Sequence, residues 1–352
     1  MNESWQARVE PVLATVMHEK AVPGILLAVA RGIRPPEFLA AGVDAAGVPL
    51  RADTLFPVAS ITKLATALAV LRLAASGALA LDDRLDRLLP DARAASASIT
   101  VRRLLAHTSG LPGDLAPAAA PYTPALTWTT LAAACLAAPL ARPPQSRVTY
   151  SNAGVGLLAV IVERRTGRPF AHALSDLVLD PLGVTGYLGA EPTGDPARIA
   201  GDFGPHTGTA LEPINSRFWR SLALPWGGLV TDAAGALRLV RAFAGTPDGF
   251  LPASLLVDAV RDQTDGVGGG FFPPLAWSAC PWGLGVELRG AKSPHWTPPQ
   301  ASPASFGHVG STGCLAWADP DAHLAWVMLG TRNFLGWWDA WPAIGGALLS
   351  IR

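Results

Sequence analysis

Leu55-Phe56-Pro57-Val58-Ala59-Ser60-Ile61-Thr62-Lys63-Leu64 carries an apolar run, broken by a proline, straight into a lysine-bearing segment. From Ser60 onward, Lys63, Leu64, Leu68, Leu71 and Leu73 fall at helical spacing, and Gly77 is a natural C′ residue to stop the helix. A spacing of three puts Ser60 and Lys63 on one helix face within side-chain reach. A serine hydroxyl is a poor nucleophile until something removes its proton. At the first turn the helix dipole favours negative charge developing on that oxygen. The dipole and burial together also depress a lysine toward a usable base near neutral pH. Alone, the pair is weak. With 18 serines and only three lysines (Lys20, Lys63, Lys292), S-x-x-K arises by chance in roughly one such chain in seven.

Working outward, residues 4–20 have the periodicity of an amphipathic helix. Residues 24–31 read as a buried strand, and residues 37–43, after Pro35-Pro36, as its hairpin partner. Thr100 is a candidate N-cap for a short helix over 101–107. From there to about residue 220 the pattern is mostly helical, clearest at 128–139, 153–165 and 169–179. Another helix is expected over 232–244. Residues 264–304 are crowded with Gly, Pro and Trp and suggest long ordered loops around a site. Strand-like runs at 284–288, 313–318 and 324–329 lead to a closing helix over 337–351. Strands near both chain ends with helices between them imply an α+β fold. Its single antiparallel sheet would be flanked by the N- and C-terminal helices and would carry a mostly helical inserted lobe. The expected division is 1–59 with 222–352 for the sheet domain and 60–221 for the helical one, with a site in the cleft between them.

Two further segments carry chemistry. In Tyr150-Ser151-Asn152 the phenol needs a nearby cation to act as a base, which Lys63 could supply, and the Asn152 amide can hold a lysine while donating to a substrate carbonyl. Capping and packing alone would account for the same three residues. In Gly307-His308-Val309-Gly310-Ser311-Thr312-Gly313 the glycines mark a strand that another backbone or a ligand approaches closely. Such an edge could offer the Ser311 amide to an oxyanion opposite the Ser60 amide. Standing alone, it reads as a glycine-rich hairpin.

Composition excludes several classes. Lys and Arg total 27 and Asp and Glu total 27, so there is no basic excess to neutralise nucleic-acid phosphates. Cys135, Cys280 and Cys314 show neither a disulfide framework nor zinc spacing, and the histidines show no metal-ligand spacing. No metal or cofactor is expected. No stretch reads as a membrane span, and the polar first residues show no secretory leader, so the expectation is a cytoplasmic protein.

Together, Ser60-x-x-Lys63, Tyr150-x-Asn152 and His308-x-Gly310 resemble the three ordered motifs of the serine β-lactamase and penicillin-binding-protein superfamily. Leu104-Leu105-Ala106-His107-Thr108-Ser109-Gly110-Leu111 resembles the L-L-x-H-T-S-G-L segment of its class C-like members. Pro225-Trp226-Gly227-Gly228-Leu229 is similar to their G-G-L turn. The likeness spans roughly residues 8–350 and implies a β-lactamase/transpeptidase-like fold. By the same resemblance Ser60 attacks and is acylated, Lys63 and Tyr150 exchange the proton, and Asn152 positions Lys63 and substrate. The Ser60 and Ser311 amides form the oxyanion hole, with His308 and Gly310 on the opposite wall. His107 reads as a structural residue pinning a turn. Which of Lys63 and Tyr150 is the base stays open, because a coupled pair titrates as a unit.

The departures bear on substrate. Where β-lactamases and transpeptidases present a lysine and a threonine to a substrate carboxylate, this chain has His308 and Val309, which hold a carboxylate weakly. Trp219, Trp226, Trp277, Trp282 and Trp296, with Phe271 and Phe272, fall where a cleft wall is expected and favour apolar acyl or aryl groups. The expectation is therefore a carboxylesterase resembling family VIII, with a small-molecule ester or amide as partner. Two alternatives stand beside it: a β-lactamase or D-amino-acid peptidase or amidase, and an acylated, non-hydrolysing sensor. Oligomeric state is not readable from the chain.

Overall fold

The computed structural model describes residues 4–189, 195–271, 274–333 and 337–350. Its main sheet has six antiparallel strands drawn from both ends of the chain. Gly24–Arg31 (β1) and Glu37–Gly42 (β2) come from the start; Glu287–Leu288 (β3), Phe306–Gly310 (β4), Cys314–Asp319 (β5) and Leu324–Gly330 (β6) come from the end. The spatial order is β2-β1-β6-β5-β4-β3. The seam between the two chain ends is β1 against β6, in register from Ile25↔Gly330 to Arg31↔Leu324.

Strand β1 is apolar from Ile25 to Ala30 because both faces of the sheet are covered. Ile25, Leu27 and Val29 pack among Trp5, Val9 and Leu13 of Trp5–Glu19 (α1) and Trp341 and Ile344 of the terminal helix Trp341–Leu349. Leu26, Ala28 and Ala30 point the other way, into a core shared with Thr62–Ala75 (α2), Asn152–Thr166 (α3) and Ala233–Phe243 (α4). Trp317, Trp326 and Trp341 are fully buried on the terminal-helix side. Each buries ~200 Å² and contributes about 5 kcal/mol of transfer free energy. The sheet thus anchors both chain ends, and α2 is buried on nearly all sides with Lys63 in its first turn.

Local signals hold where the residues that make them are contiguous. Thr100 and Asp232 cap their helices by accepting from Arg103 N and Gly235 N, and Gly77 takes φ +76° just past α2. Other expectations need correction. The strand expected over 284–288 is reduced to Glu287–Leu288, because Gly283 and Gly285 turn against the Ala259 carbonyl and the Ala67 methyl. The helix expected over 101–107 stops at Leu105, since His107 takes φ +56°. The stretch up to about 220 is less helical than its composition suggests: the described residues of 183–216 are mostly turn and loop and include the short strand Gly186–Leu188, which pairs with Leu229–Thr231. The closing helix begins at Trp341, residues 337–340 forming a turn before it; the expected end at Ile351 lies outside the described residues, as does Phe272. Among the described residues no helix is long and apolar enough to cross a membrane.

Candidate active site

Ser60 sits in a single 3₁₀ turn, Ala59–Ile61, that leads into α2. The turn is tight: Ala59 takes φ +44°, a conformation that costs a residue with a side chain about 1 kcal/mol or more. Thr62 holds it there. Its hydroxyl donates to Ala59 O at 2.6 Å and accepts from Leu229 N at 3.0 Å. Two more residues of α2 grip the same segment: Lys63 Nζ donates to Trp226 O at 2.8 Å and Thr66 Oγ1 to Pro225 O at 2.5 Å. The Pro225–Leu229 motif is thus a clamp on the first turn of α2, a role its sequence did not reveal.

Lys63 Nζ lies 3.0 Å from Ser60 Oγ and 4.6 Å from the centre of the Tyr150 ring. The lysine is 3% exposed, and no carboxylate contacts it among the described residues. Burial therefore pulls its ammonium well below the ordinary lysine value, and the more distant Asp114 opposes this only in part. The Ser60 hydroxyl also lies close enough to the Tyr150 phenol to influence its ionisation. Packing among rings takes that phenol out of water and pushes it above its ordinary value, and the Ser60 contact works in the opposite direction. A lysine driven toward its neutral form, a serine and a phenol are thus within proton-transfer reach of one another.

The loop over 107–113 fixes Tyr150 in place. His107 Nδ1 accepts from Ser151 N at 3.2 Å, and its carbonyl accepts from Thr149 N at 2.8 Å. Ser151 Oγ donates to Pro112 O at 2.6 Å and caps α3 by accepting from Gly154 N. Asn152 N donates to Gly113 O at 2.6 Å. His107 is buried with its ring 4.9 Å from both Tyr150 and Trp282, and so pins the turn as its sequence suggests. Asn152 is in the site but is not bonded to Lys63 among the described residues. Its Nδ2 donates to Asp114 Oδ1 at 2.5 Å, and its Oδ1 is buried without a partner.

Strand β4 closes the other side. It pairs with β3 through Phe306 and Gly307, so among the described residues its outer edge has no strand neighbour from His308 onward. A Cβ on Gly310 would lie 2.4 Å from Val58 O, so glycine alone lets this strand press against the residues before Ser60. Ser311 follows in the exposed hairpin turn, and its N–H has no acceptor among the described residues. His308 is fully enclosed. Its Nδ1 is 2.7 Å from Val309 O, its Nε2 has no partner, and its ring lies 5.7 Å from Tyr150. Burial, then the Lys63 charge, push it down to about 4, so it is uncharged at neutral pH.

Behind Tyr150 lies a group the sequence did not point to, apart from the rarity of lysine. Glu287 accepts from Lys292 Nζ at 2.7 Å and Trp296 Nε1 at 2.8 Å, with His295 Nε2 at 3.3 Å, and the ion pair is 0–1% exposed. Lys292 rides over the Trp277 and Trp282 rings at 4.9 and 5.3 Å. Burial works to raise the Glu287 carboxyl, but Lys292 and His295 outweigh it and hold it at about 2. The expected aromatic wall divides accordingly. Trp282 and Trp296 are sealed in this packing and offer no open face, Trp219 is nearly so, and Trp226, Phe271 and Trp277 stay half-buried.

The Beta-lactamase family matches residues 9–339. Esterase EstB of Burkholderia gladioli is 33% identical over 91% of this chain and 86% of its own length. Penicillin-binding protein 4 of Amycolatopsis lactamdurans is 30% identical over 88% and 79%. A crystal structure of a β-lactamase, Mb2281c, from Mycobacterium bovis superposes with a TM-score of 0.68 at 28% identity, covering 96% of this chain and 98% of that one. With three motif segments drawn to one point on an α+β scaffold and matches that run nearly end to end, the chain belongs to the β-lactamase family and is a hydrolase.

Proposed function

We propose that this protein is a serine hydrolase working through an acyl-enzyme on Ser60, and that it is a carboxylesterase for short-chain or aryl esters. The observation that carries this reading is the 3.0 Å contact to Ser60 Oγ from a buried Lys63 that no carboxylate holds among the described residues. Ser60 Oγ attacks the ester carbonyl as its proton passes to the Lys63–Tyr150 pair. The tetrahedral oxyanion is held by the Ser60 and Ser311 amides, beside His308 and Gly310. The carbon–oxygen bond to the leaving group breaks, and the pair returns the proton to the departing alkoxide. Water then repeats the sequence on the acyl-enzyme, giving free acid and Ser60. Asn152, next to the pair, orients the substrate carbonyl.

The ester reading rests on the third motif. An uncharged His308 and an apolar Val309 leave no fixed cation for the carboxylate of a β-lactam or a peptide terminus. The kinship with esterase EstB supports the same reading. The cleft is proposed to lie between a sheet domain of residues 1–59 and 222–352 and a helical domain of residues 60–221. All six strands of the main sheet fall in the first and both α2 and α3 in the second. Three buried, unbridged cysteines fit a reducing, cytoplasmic setting. The test is turnover of p-nitrophenyl butyrate against nitrocefin by the wild type and Ser60→Ala. Ester hydrolysis abolished in Ser60→Ala, with little nitrocefin cleavage, is expected. Efficient nitrocefin turnover would overturn the ester preference, and ester turnover surviving in Ser60→Ala would overturn the nucleophile.

A further inference from the structure

We propose that the cavity beside Arg220 is a binding site for a small monocarboxylate with an apolar tail, separate from the site at Ser60.

A cavity of about 410 Å³ opens where residues 44–54, 195–198 and 214–220 meet. Its size falls within the range of small-molecule sites, about 300–1,000 Å³. Ser60, Lys63 and Tyr150 do not line it. Arg220 does, from the short helix Arg217–Ser221, and it is only 4% exposed. A guanidinium carries N–H donors on all of its nitrogens and no acceptor. Here Nη1 donates to Asn215 O at 2.8 Å, and Nη2 stands 3.6 Å from the exposed Asp195. Nε is buried with no partner among the described residues. Burying donors in this way is costly unless something accepts from them.

Other polar groups of the same wall are already engaged. Asp44 accepts from Ala46 N, Val48 N and Arg198 N at 2.8–2.9 Å. The Arg198 side chain pairs with Glu212 at 2.7 Å, and the Asn215 amide bonds the backbone of Ile199 in both directions. Tyr187, on which Arg220 acts electrostatically, gives it no acceptor: the phenol oxygen is itself buried without a partner. Arg220 is thus a buried cation with donors to spare at the edge of an open volume.

The guanidinium fork matches the paired oxygens of a carboxylate or a phosphate. The surroundings favour the carboxylate. Asp44 and Asp195 put negative charge on the same wall, which repels a dianion more strongly than a monoanion. Val48, Pro49, Leu50 and Ile214 line the cavity with apolar surface that a hydrocarbon tail covers and inorganic phosphate leaves bare. The proposal does not depend on the reaction at Ser60.

The test is calorimetric titration of the whole protein at pH 7 and fixed salt with hexanoate, with its neutral counterpart hexanamide, and with inorganic phosphate. Wild type is expected to bind hexanoate more tightly than either of the others. Arg220→Met should weaken hexanoate binding by about thirtyfold or more, the loss of a largely buried charge pair, and leave hexanamide unchanged. Val48→Asp adds a negative charge at an exposed position of the wall, so it tests the site even where Arg220→Met fails to fold. It should weaken hexanoate by about two- to fivefold, again without effect on hexanamide. No binding of hexanoate to wild type would overturn the proposal. Binding unchanged in the folded variants would also overturn it, because the carboxylate would then sit elsewhere, the Ser60 site included. Phosphate bound as tightly as hexanoate would overturn the assignment to a monocarboxylate.

Discussion

Lys63 and Lys292 are both sealed from water, at 3% and 2% exposure, and the protein treats them in opposite ways. Lys292 is given a carboxylate at 2.7 Å, a backbone carbonyl and two indole faces. Lys63 is given, among the described residues, a hydroxyl, a carbonyl and a phenol ring, while Asp114, exposed at the surface, acts on it electrostatically. Burial of an ammonium is costly in either place. At Lys292 the cost is met by pairing, which preserves the charge and ties the strand carrying Glu287 to the loop carrying Trp296. At Lys63 it is relieved by weakening the hold on the proton, which is what a general base requires. The lysine proposed to move the proton is the one with no counter-ion among the described residues.

The largest expected effect comes from removing Lys63, one member of the proposed proton-transfer pair. On the proposed mechanism, Lys63→Met should lower kcat/KM by about 10³-fold or more, in line with the loss of proton-transfer assistance to Ser60. It should also raise thermal stability. A lysine whose folded pKa is depressed binds fewer protons folded than unfolded, so it opposes folding below its ordinary value of 10.5. Replacing it removes that opposition. Matched kinetics and thermal unfolding at pH 7 check both halves, and a Lys63→Met protein less stable than wild type would undo the contrast drawn here.

Next in size is Lys292→Met, which strands the Glu287 charge among indoles and should cost about 3–5 kcal/mol by denaturant unfolding. The double variant Lys292→Met/Glu287→Leu should recover most of the loss, because it removes both charges together. Equal stability of the single and double variants would mean that the charge pair was not the source of the effect.

The smallest effect is one of pH. The Glu287 carboxyl is held at about 2 against an ordinary 4.5, so its contribution is fully present above pH 4.5 and is lost as pH falls toward 2. Unfolding free energy measured at pH 5 and at pH 2.5 should differ less in Glu287→Gln than in wild type. An identical difference in both proteins would assign acid sensitivity to other carboxylates.

Most of the scaffold could be read from the chain because its signals are local. A run of apolar residues can be recognised as a doubly covered strand, and Thr100, Asp232 and Gly77 mark helix ends through contacts within three residues of themselves. Where local signals compete with the rest of the fold, the reading slipped: Gly283 and Gly285 break a strand because Ala259 and Ala67 press on them from elsewhere. The same division runs through the candidate site. Ser60 and Lys63 meet because a 3₁₀ turn runs directly into an α-helix, which leaves positions three apart on one side as the spacing predicts. The pairing of Lys292 with Glu287, the turn of Asn152 toward Asp114, the clamp from Trp226 and the approach of Gly310 to Val58 join residues with no periodic relation. Residue type and spacing established which groups can react. Whether a given lysine keeps its proton depends on which carboxylate and how much water the folded chain leaves beside it, and those neighbours come from distant segments brought together by packing.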